Sequence, residues 1–224
     1  MLVVISATFF MVHAAPGGPF DDDRVASPEI IKQLNETYNL NDPLISQLGN
    51  YLLNALKGDF GPSYKYPGRT VSELIASGLP ITAELAFYSV LFALLLGILS
   101  GIIASLYPGK FLDHFPMSVS MIGICVPSII LGPVLILTFG IWFEILPVSG
   151  WGEFSGDKIL PTITLGSAYA AIFARLTRGG MLEILAQDFI RTARAKGLNE
   201  TRVVFFHALR GGIMPTTVSY THLR

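Results

Sequence analysis

Leu85-Ala-Phe-Tyr-Ser-Val-Leu-Phe-Ala-Leu-Leu-Leu-Gly-Ile-Leu-Ser-Gly-Ile-Ile-Ala-Ser-Leu-Tyr-Pro-Gly109 contains no charged residue. A bilayer's hydrocarbon core is crossed by roughly 20 apolar helical residues, and this run is long enough. In lipid every backbone N–H and C=O must find its partner within the chain, so such a run reads as a helix. Working outward, a second uncharged run extends from Phe115 to Phe143, with His114 at its edge. A third, from Ile159 to Ala174, is shorter, and Arg175 and Arg178 read as snorkelling ends that complete it. The whole chain is 51% hydrophobic and 14% charged, with mean hydropathy +0.56. Soluble domains carry about 25% charged residues, so the predicted fold class is all-α, a polytopic membrane helix bundle.

The distribution of charge orients the bundle. Residues 15–79 hold eight acids against five bases, whereas residues 175–210 hold seven bases against three acids. The positive-inside bias makes the second region cytoplasmic and the first external. Alternation then sends an N-terminal helix outward and a helix over about 80–106 back inward, to a short turn with Lys110, Asp113 and His114. A helix over about 116–146 exits, residues 147–158 lie outside, a helix over about 159–178 returns, and another starts near Gly212. The run Met1 to Ala15 reads as a first membrane helix whose beginning is absent. The alternative, a signal peptide cleaved after Val12-His-Ala-Ala15, lacks a basic leading region. The chain reads as a piece of a longer one: Thr221-His-Leu-Arg224 is polar where an apolar helix should continue, and reads as foreign.

Chemistry-bearing residues are few. Cys125 is the single cysteine and excludes a disulfide framework; it reads as a small buried hydrophobe. No G-x-x-x-x-G-K-[ST] loop is present, so no P-loop binds ATP here. His13, His114, His207 and His222 are scattered without HExxH or Cys/His spacing, and Gly-x-Ser-x-Gly is absent, so no metal, cofactor or catalysis is expected. Pro127 and Pro133, with Gly123, Gly132 and Gly140, read either as a bent, pathway-lining helix or as ordinary small-residue packing. Glu84 and Glu144 fall near outer helix ends, where a solvated carboxylate is favoured over a proton relay.

The segment Asp188-Phe-Ile-Arg-Thr-Ala-Arg-Ala-Lys-Gly197-Leu-Asn-Glu-Thr-Arg202 remains. Phe189, Ile190, Ala193, Ala195 and Leu198 interleave with Arg191, Arg194 and Lys196, which gives a short basic helix. Gly197 supplies positive φ for a cap or tight turn, and Asn199 is an N-cap for a second helix carrying Val203, Val204, Phe205 and Phe206. A cytoplasmic helix–glycine–helix element reads either as a knob for another protein's groove or as a basic helix lying on anionic lipid.

Arg191-Thr-Ala-Arg-Ala-Lys-Gly197, followed by His207-Ala-Leu-Arg210, resembles the EAA loop of ABC importer membrane subunits in its peptide and nickel permease form. Gly197 and Ala193 match the general pattern, whereas Arg191, Thr192, His207 and Arg210 depart from it as that subclass does. Ala174-Arg-Leu-Thr-Arg-Gly-Gly-Met-Leu-Glu183, Leu146-Pro-Val-Ser-Gly-Trp151, Ala15-Pro-Gly-Gly-Pro-Phe20, Asn41-Asp-Pro43 and Gly58-Asp-Phe-Gly-Pro-Ser63 are similar to further stretches of the subclass, the last to its oligopeptide branch.

That resemblance implies an importer fold with its final helices missing. Residues 1–79 would be a truncated first helix and external segment. Residues 80–224 would be the permease core, with the EAA-like loop at 183–212. It also implies a multi-pass subunit of the bacterial inner membrane that pairs with a homologous second permease. Two cytoplasmic ATPase subunits would hydrolyse ATP and an external binding protein would deliver the peptide; no nucleic acid is involved. Coupling to the ATPases would fall on Arg191, Thr192, Ala193, Arg194, Ala195, Lys196, Gly197 and Arg202. Two other functions stay open on the residues alone: an ion- or proton-coupled carrier or channel, and a membrane-anchored structural protein whose basic segment binds lipid.

Overall fold

The computed structural model describes residues 2–14, 42–61, 63, 66, 68–154 and 156–221, and their regular structure is helical, with no β-strand among them. The motifs at Ala15–Phe20 and the residues His222–Arg224 lie outside the described residues. The chain divides into two units, Met1–Ile81 and Thr82–Arg224.

In the first unit, α1 (Leu2–Ala14) is apolar all round and α2 (Leu44–Leu56) is amphipathic. A turn follows in which Gly58 and Gly61 take φ of +79° and +77°. Asp59 Oδ1 accepts from the Gly61 N–H at 2.9 Å, and Ser72 Oγ donates to the Gly58 carbonyl at 2.7 Å. Thr70 and Glu73 then form a reciprocal capping box. The Glu73 N–H donates to Thr70 Oγ1 at 3.1 Å, and the Thr70 N–H to Glu73 Oε2 at 3.2 Å. That cap starts α3 (Val71–Leu106), which therefore begins well before the expected position near residue 80.

The second unit is built on α6 (Ile159–Leu185), an uninterrupted helix that also outlasts its expected end at about 178. On α3, Ser89, Ala93, Gly97, Gly101 and Ser105 recur every four residues and are buried, which makes one flat stripe. A Cβ at Gly97 would lie 2.6 Å from Phe173 Cβ, one at Gly101 2.6 Å from Thr177 Cβ, and one at Gly166 2.7 Å from the Ser89 carbonyl oxygen. The α3 and α6 backbones therefore touch, as small residues at membrane helix interfaces allow. Residue numbers rise together along this contact, so α3 and α6 are parallel.

The expected single helix over 116–146 is instead α4 (Phe111–Cys125) and α5 (Ser128–Leu135), continued by a π-helical segment, Ile136–Trp142. The two parts meet at 110°. Val126 and Pro127 are both extended at the join, because a residue before proline is pushed out of the helical region. Pro133, by contrast, sits inside α5 without breaking it. α4 runs antiparallel to α6: a Cβ on Gly123 would meet the Ser167 carbonyl oxygen at 2.5 Å, and Asp113 meets Arg178. Cys125, expected to be buried, is exposed, because the face of α4 turned toward α6 is the one carrying Gly123.

Among the described residues, two helices, α3 and α6, are long and apolar enough to cross a membrane, and the bent pair makes a third if it counts as one span. The parallel α3 and α6 and the antiparallel α4 are the relative directions that alternation across a membrane requires. α7 (Asp188–Ala195), α8 (Glu200–Arg202), a second π-helical segment (Val203–Ala208), α9 (Leu209–Gly212) and α10 (Met214–Thr221) complete the chain. Thr177 and Thr216 share a buried hydroxyl–hydroxyl hydrogen bond of 2.9 Å, which ties α10 back onto α6.

Candidate functional site

The loop between α6 and α10 is folded by two local devices. At the end of α7, the Gly197 N–H donates to the Arg194 carbonyl at 2.9 Å and the Leu198 N–H to the Ala193 carbonyl at 3.3 Å. Those two bonds, with Gly197 at φ +77°, make a Schellman closure. Two residues later Asn199 Oδ1 accepts from the Thr201 N–H at 3.2 Å and caps α8. Both the glycine and the asparagine take the roles their positions predicted.

One side of the loop is fastened to the bundle. Ile190, Ala193, Val203, Val204 and Ala208 are buried in one cluster with Ile102 of α3 and Met181 of α6, and Leu198 packs against it. Burying Ile190 and Val203 completely stabilises the attachment by about 1.5–3 kcal/mol each. Ala193, one of the expected contact residues, is thus an inward packing residue. The second helix divides its apolar residues: Val203 and Val204 point inward, while Phe205 and Phe206 are exposed.

The other side is open. Arg191, Thr192, Arg194, Ala195, Lys196, Gly197 and Arg202 are exposed, and so is Phe189. Their charges are not all free. Arg194 grips Glu200, with Nε to Oε1 at 3.0 Å and Nη2 to Oε1 at 2.5 Å, and this neighbour holds the Glu200 carboxyl below the usual glutamate range. Arg191 makes a looser pair with Asp188 at 3.3 Å. Among the described residues, Lys196 and Arg202 have no ion pair of the same kind. An open groove of about 520 Å³ runs beside α7, lined by Phe189, Thr192, Lys196, Leu198, Phe206 and His207. Apolar rings flanked by a lysine suit a partner surface with an apolar socket and an acidic rim.

At the opposite end of α6, the turn Leu146-Pro-Val-Ser-Gly-Trp151 has its own anchors. Trp151 Nε1 donates to Glu84 Oε2 at 3.2 Å, Lys158 is paired with the same carboxylate, and the Lys158 ammonium lies 5.4 Å from the Trp151 ring centroid. Glu84 keeps about a third of its side chain exposed, as expected of a solvated carboxylate at a helix end, and is in addition paired. Glu144 is a non-glycine residue at φ +52°, just past the π-helical segment.

Sequence reasoning did not find the ion pair that joins α4 to α6. Arg178 Nε and Nη2 donate to the two oxygens of Asp113 at 2.6 and 2.7 Å, and Asp113 is only 2% exposed. The Gly109 N–H donates to the same carboxylate at 2.9 Å.

Long apolar helices, one of them broken, and a capped loop fastened to their end define a multi-pass membrane protein. A profile described as "binding-protein-dependent transport system inner membrane component" matches residues 93–221. The oligopeptide transport system permease protein OppB of Salmonella typhimurium is 41% identical over 216 residues, covering 96% of this chain and 71% of that protein. OppB of Haemophilus influenzae is 42% identical with the same coverage. The dipeptide transport system permease protein DppB of Bacillus subtilis is 39% identical over 215 residues, 96% of this chain and 70% of its own length. The chain belongs to the family of binding-protein-dependent transport system inner membrane components.

Proposed function

We propose that this chain is a membrane-spanning permease subunit of an ATP-driven importer of oligopeptides or dipeptides in the inner membrane of a bacterium. It would work beside a homologous second permease and an external binding protein. Two cytoplasmic ATPase subunits would each receive a loop such as 183–212, and hydrolysis would be theirs. The units 1–79 and 80–224 would serve as entry helix with external segment and as translocation core.

The observation that carries the reading is the two-sided loop in a chain of this family. Its inner side is welded into the α3–α6 core, and its outer side presents Phe189, Arg191, Thr192 and Lys196 to a partner. A push on that outer side reaches the membrane helices without a flexible link. A proton-coupled carrier wants an unpaired carboxylate inside a span; here Glu84 and Asp113 are each held by a base, and Glu144 lies past the helical segment that ends at Trp142.

The test is peptide uptake into proteoliposomes that contain the full-length permease pair and ATPases, with the binding protein outside. Uptake is expected to need ATP inside, and Arg191→Glu with Lys196→Glu is expected to weaken retention of the ATPase subunits in a pulldown. Uptake that follows a proton gradient and ignores removal of the ATPases would sink the proposal in favour of a carrier acting alone.

A further inference from the structure

Asp113 stands apart from the machinery described so far. A buried carboxylate is costly unless paired, and a buried ion pair is often replaceable by well-packed apolar residues with no loss of stability. What a two-point fork does supply is one fixed geometry between the elements it joins. Three elements converge on this group. The Gly109 N–H brings in the turn between α3 and α4, Asp113 itself belongs to the first turn of α4, and the Arg178 fork belongs to α6. Beyond Arg178, α6 continues unbroken to Leu185, and after Ala186 and Gln187 the outward-facing α7 begins. In the other direction α4 leads to the 110° break at Val126–Pro127.

The pair is not sealed away. Arg178 is 32% exposed, and a groove of about 380 Å³ lined by Met117, Met121, Arg175 and Gly179 adjoins it. Higher on the same interface, the contact is a glycine against a serine backbone, Gly123 on Ser167, which resists sliding less than a two-point charged fork does.

We infer that Asp113 and Arg178 are positioning residues that fasten the base of the broken span to the helix carrying the loop, so that the span moves when the loop moves. This rests on the permease reading above and deepens it. With the fork cut, the ATPases should still close and hydrolyse, but less of each stroke should reach the α4–α5 break.

The experiment uses the complete transporter, both permeases, ATPases and binding protein, in proteoliposomes, and measures ATP hydrolysed per peptide imported. Asp113→Asn is expected to raise that ratio roughly tenfold, the size of a typical coupling between distant sites. Arg178→Lys, which keeps the charge but loses the fork, is expected to raise it less, and the exchange Asp113→Arg with Arg178→Asp should bring it back toward the wild-type value. An assembled Asp113→Asn complex with an unchanged ratio, whatever its speed, would overturn the inference and leave the pair a purely structural tie. Should Asp113→Asn fail to assemble, an unchanged ratio in Arg178→Lys overturns it equally. A wild-type complex with no ATP-driven uptake would instead overturn the permease reading itself.

Discussion

Gly197 offers a clean test because no packing clash acts there. Its φ is +77°, and a Cβ built on it meets no atom within 4 Å. A side chain therefore has room, and the whole penalty is backbone strain. An L-residue in the left-handed region costs roughly 1–2 kcal/mol, asparagine tolerates the region best, and a β-branched residue is the worst placed. Replacing glycine also stiffens the unfolded chain, which returns about 0.4–1 kcal/mol. The net expectation is near zero for Gly197→Asn, about 1 kcal/mol for Gly197→Ala and about 2 kcal/mol for Gly197→Val. When the strain is relieved, the Leu198 N–H lets go of the Ala193 carbonyl and Leu198 leaves the cluster around Met181. Hydrogen exchange at the Leu198 amide reads this opening directly. It should be unchanged in Asn, about fivefold faster in Ala and about thirtyfold faster in Val, at tenfold per 1.4 kcal/mol. ATP-driven peptide uptake should fall in the same order. Equal exchange in Asn and Val, or normal uptake in Val, would refute the strain argument and with it the role given to the bend.

Gly101→Ala should part α3 from α6, since its methyl would stand 2.6 Å from Thr177 Cβ and 2.7 Å from the Ala174 carbonyl oxygen. Overpacking of this kind costs about 1–3 kcal/mol, to be seen as a lower melting temperature of the purified protein in detergent. The Arg194–Glu200 pair is exposed, so Glu200→Gln should cost under about 1 kcal/mol. Because the Glu200 pKa is depressed by Arg194, the wild-type advantage should be complete above the ordinary glutamate range and shrink as pH falls through the lowered value. Paired melts of wild type and variant, taken from neutral pH down to about pH 3, check this against an ordinary glutamate pKa of about 4.3. Pro127→Ala restores a backbone donor and frees Val126 to be helical, so the 110° join should straighten in part. A spin-label pair placed on α4 and α5 should then lengthen its separation, and an unchanged distance would show that tertiary packing, not proline, sets the break.

The loop was legible in the sequence because its devices are local. One glycine able to reach positive φ and one asparagine two residues on suffice to stop a helix and start another. The membrane class was equally legible, because a bilayer enforces long uncharged helices. The start of α3 was missed although its signal was present: Thr70-Val-Ser-Glu73 is a capping box, but hydropathy alone puts the start near residue 80. The break at Pro127 was only half visible. Proline announces a disturbance, while the angle depends on what packs against each half. The Asp113–Arg178 fork was not visible at all, because it joins residues 65 positions apart and nothing in either neighbourhood names the other.

The unbroken length of α6 makes it a lever. Its 27 residues span about 40 Å at 1.5 Å per residue, from the Trp151 turn at one end to the capped loop at the other. Moving as one body, a rod of that length tilted by about 5° at its loop end carries its far end through roughly 3–4 Å. That is about the width of a methyl group, enough to move Lys158 off Glu84 and unlatch the outer turn from α3. On the permease reading proposed above, a contact made at the loop end would be felt as a displacement at the outer turn.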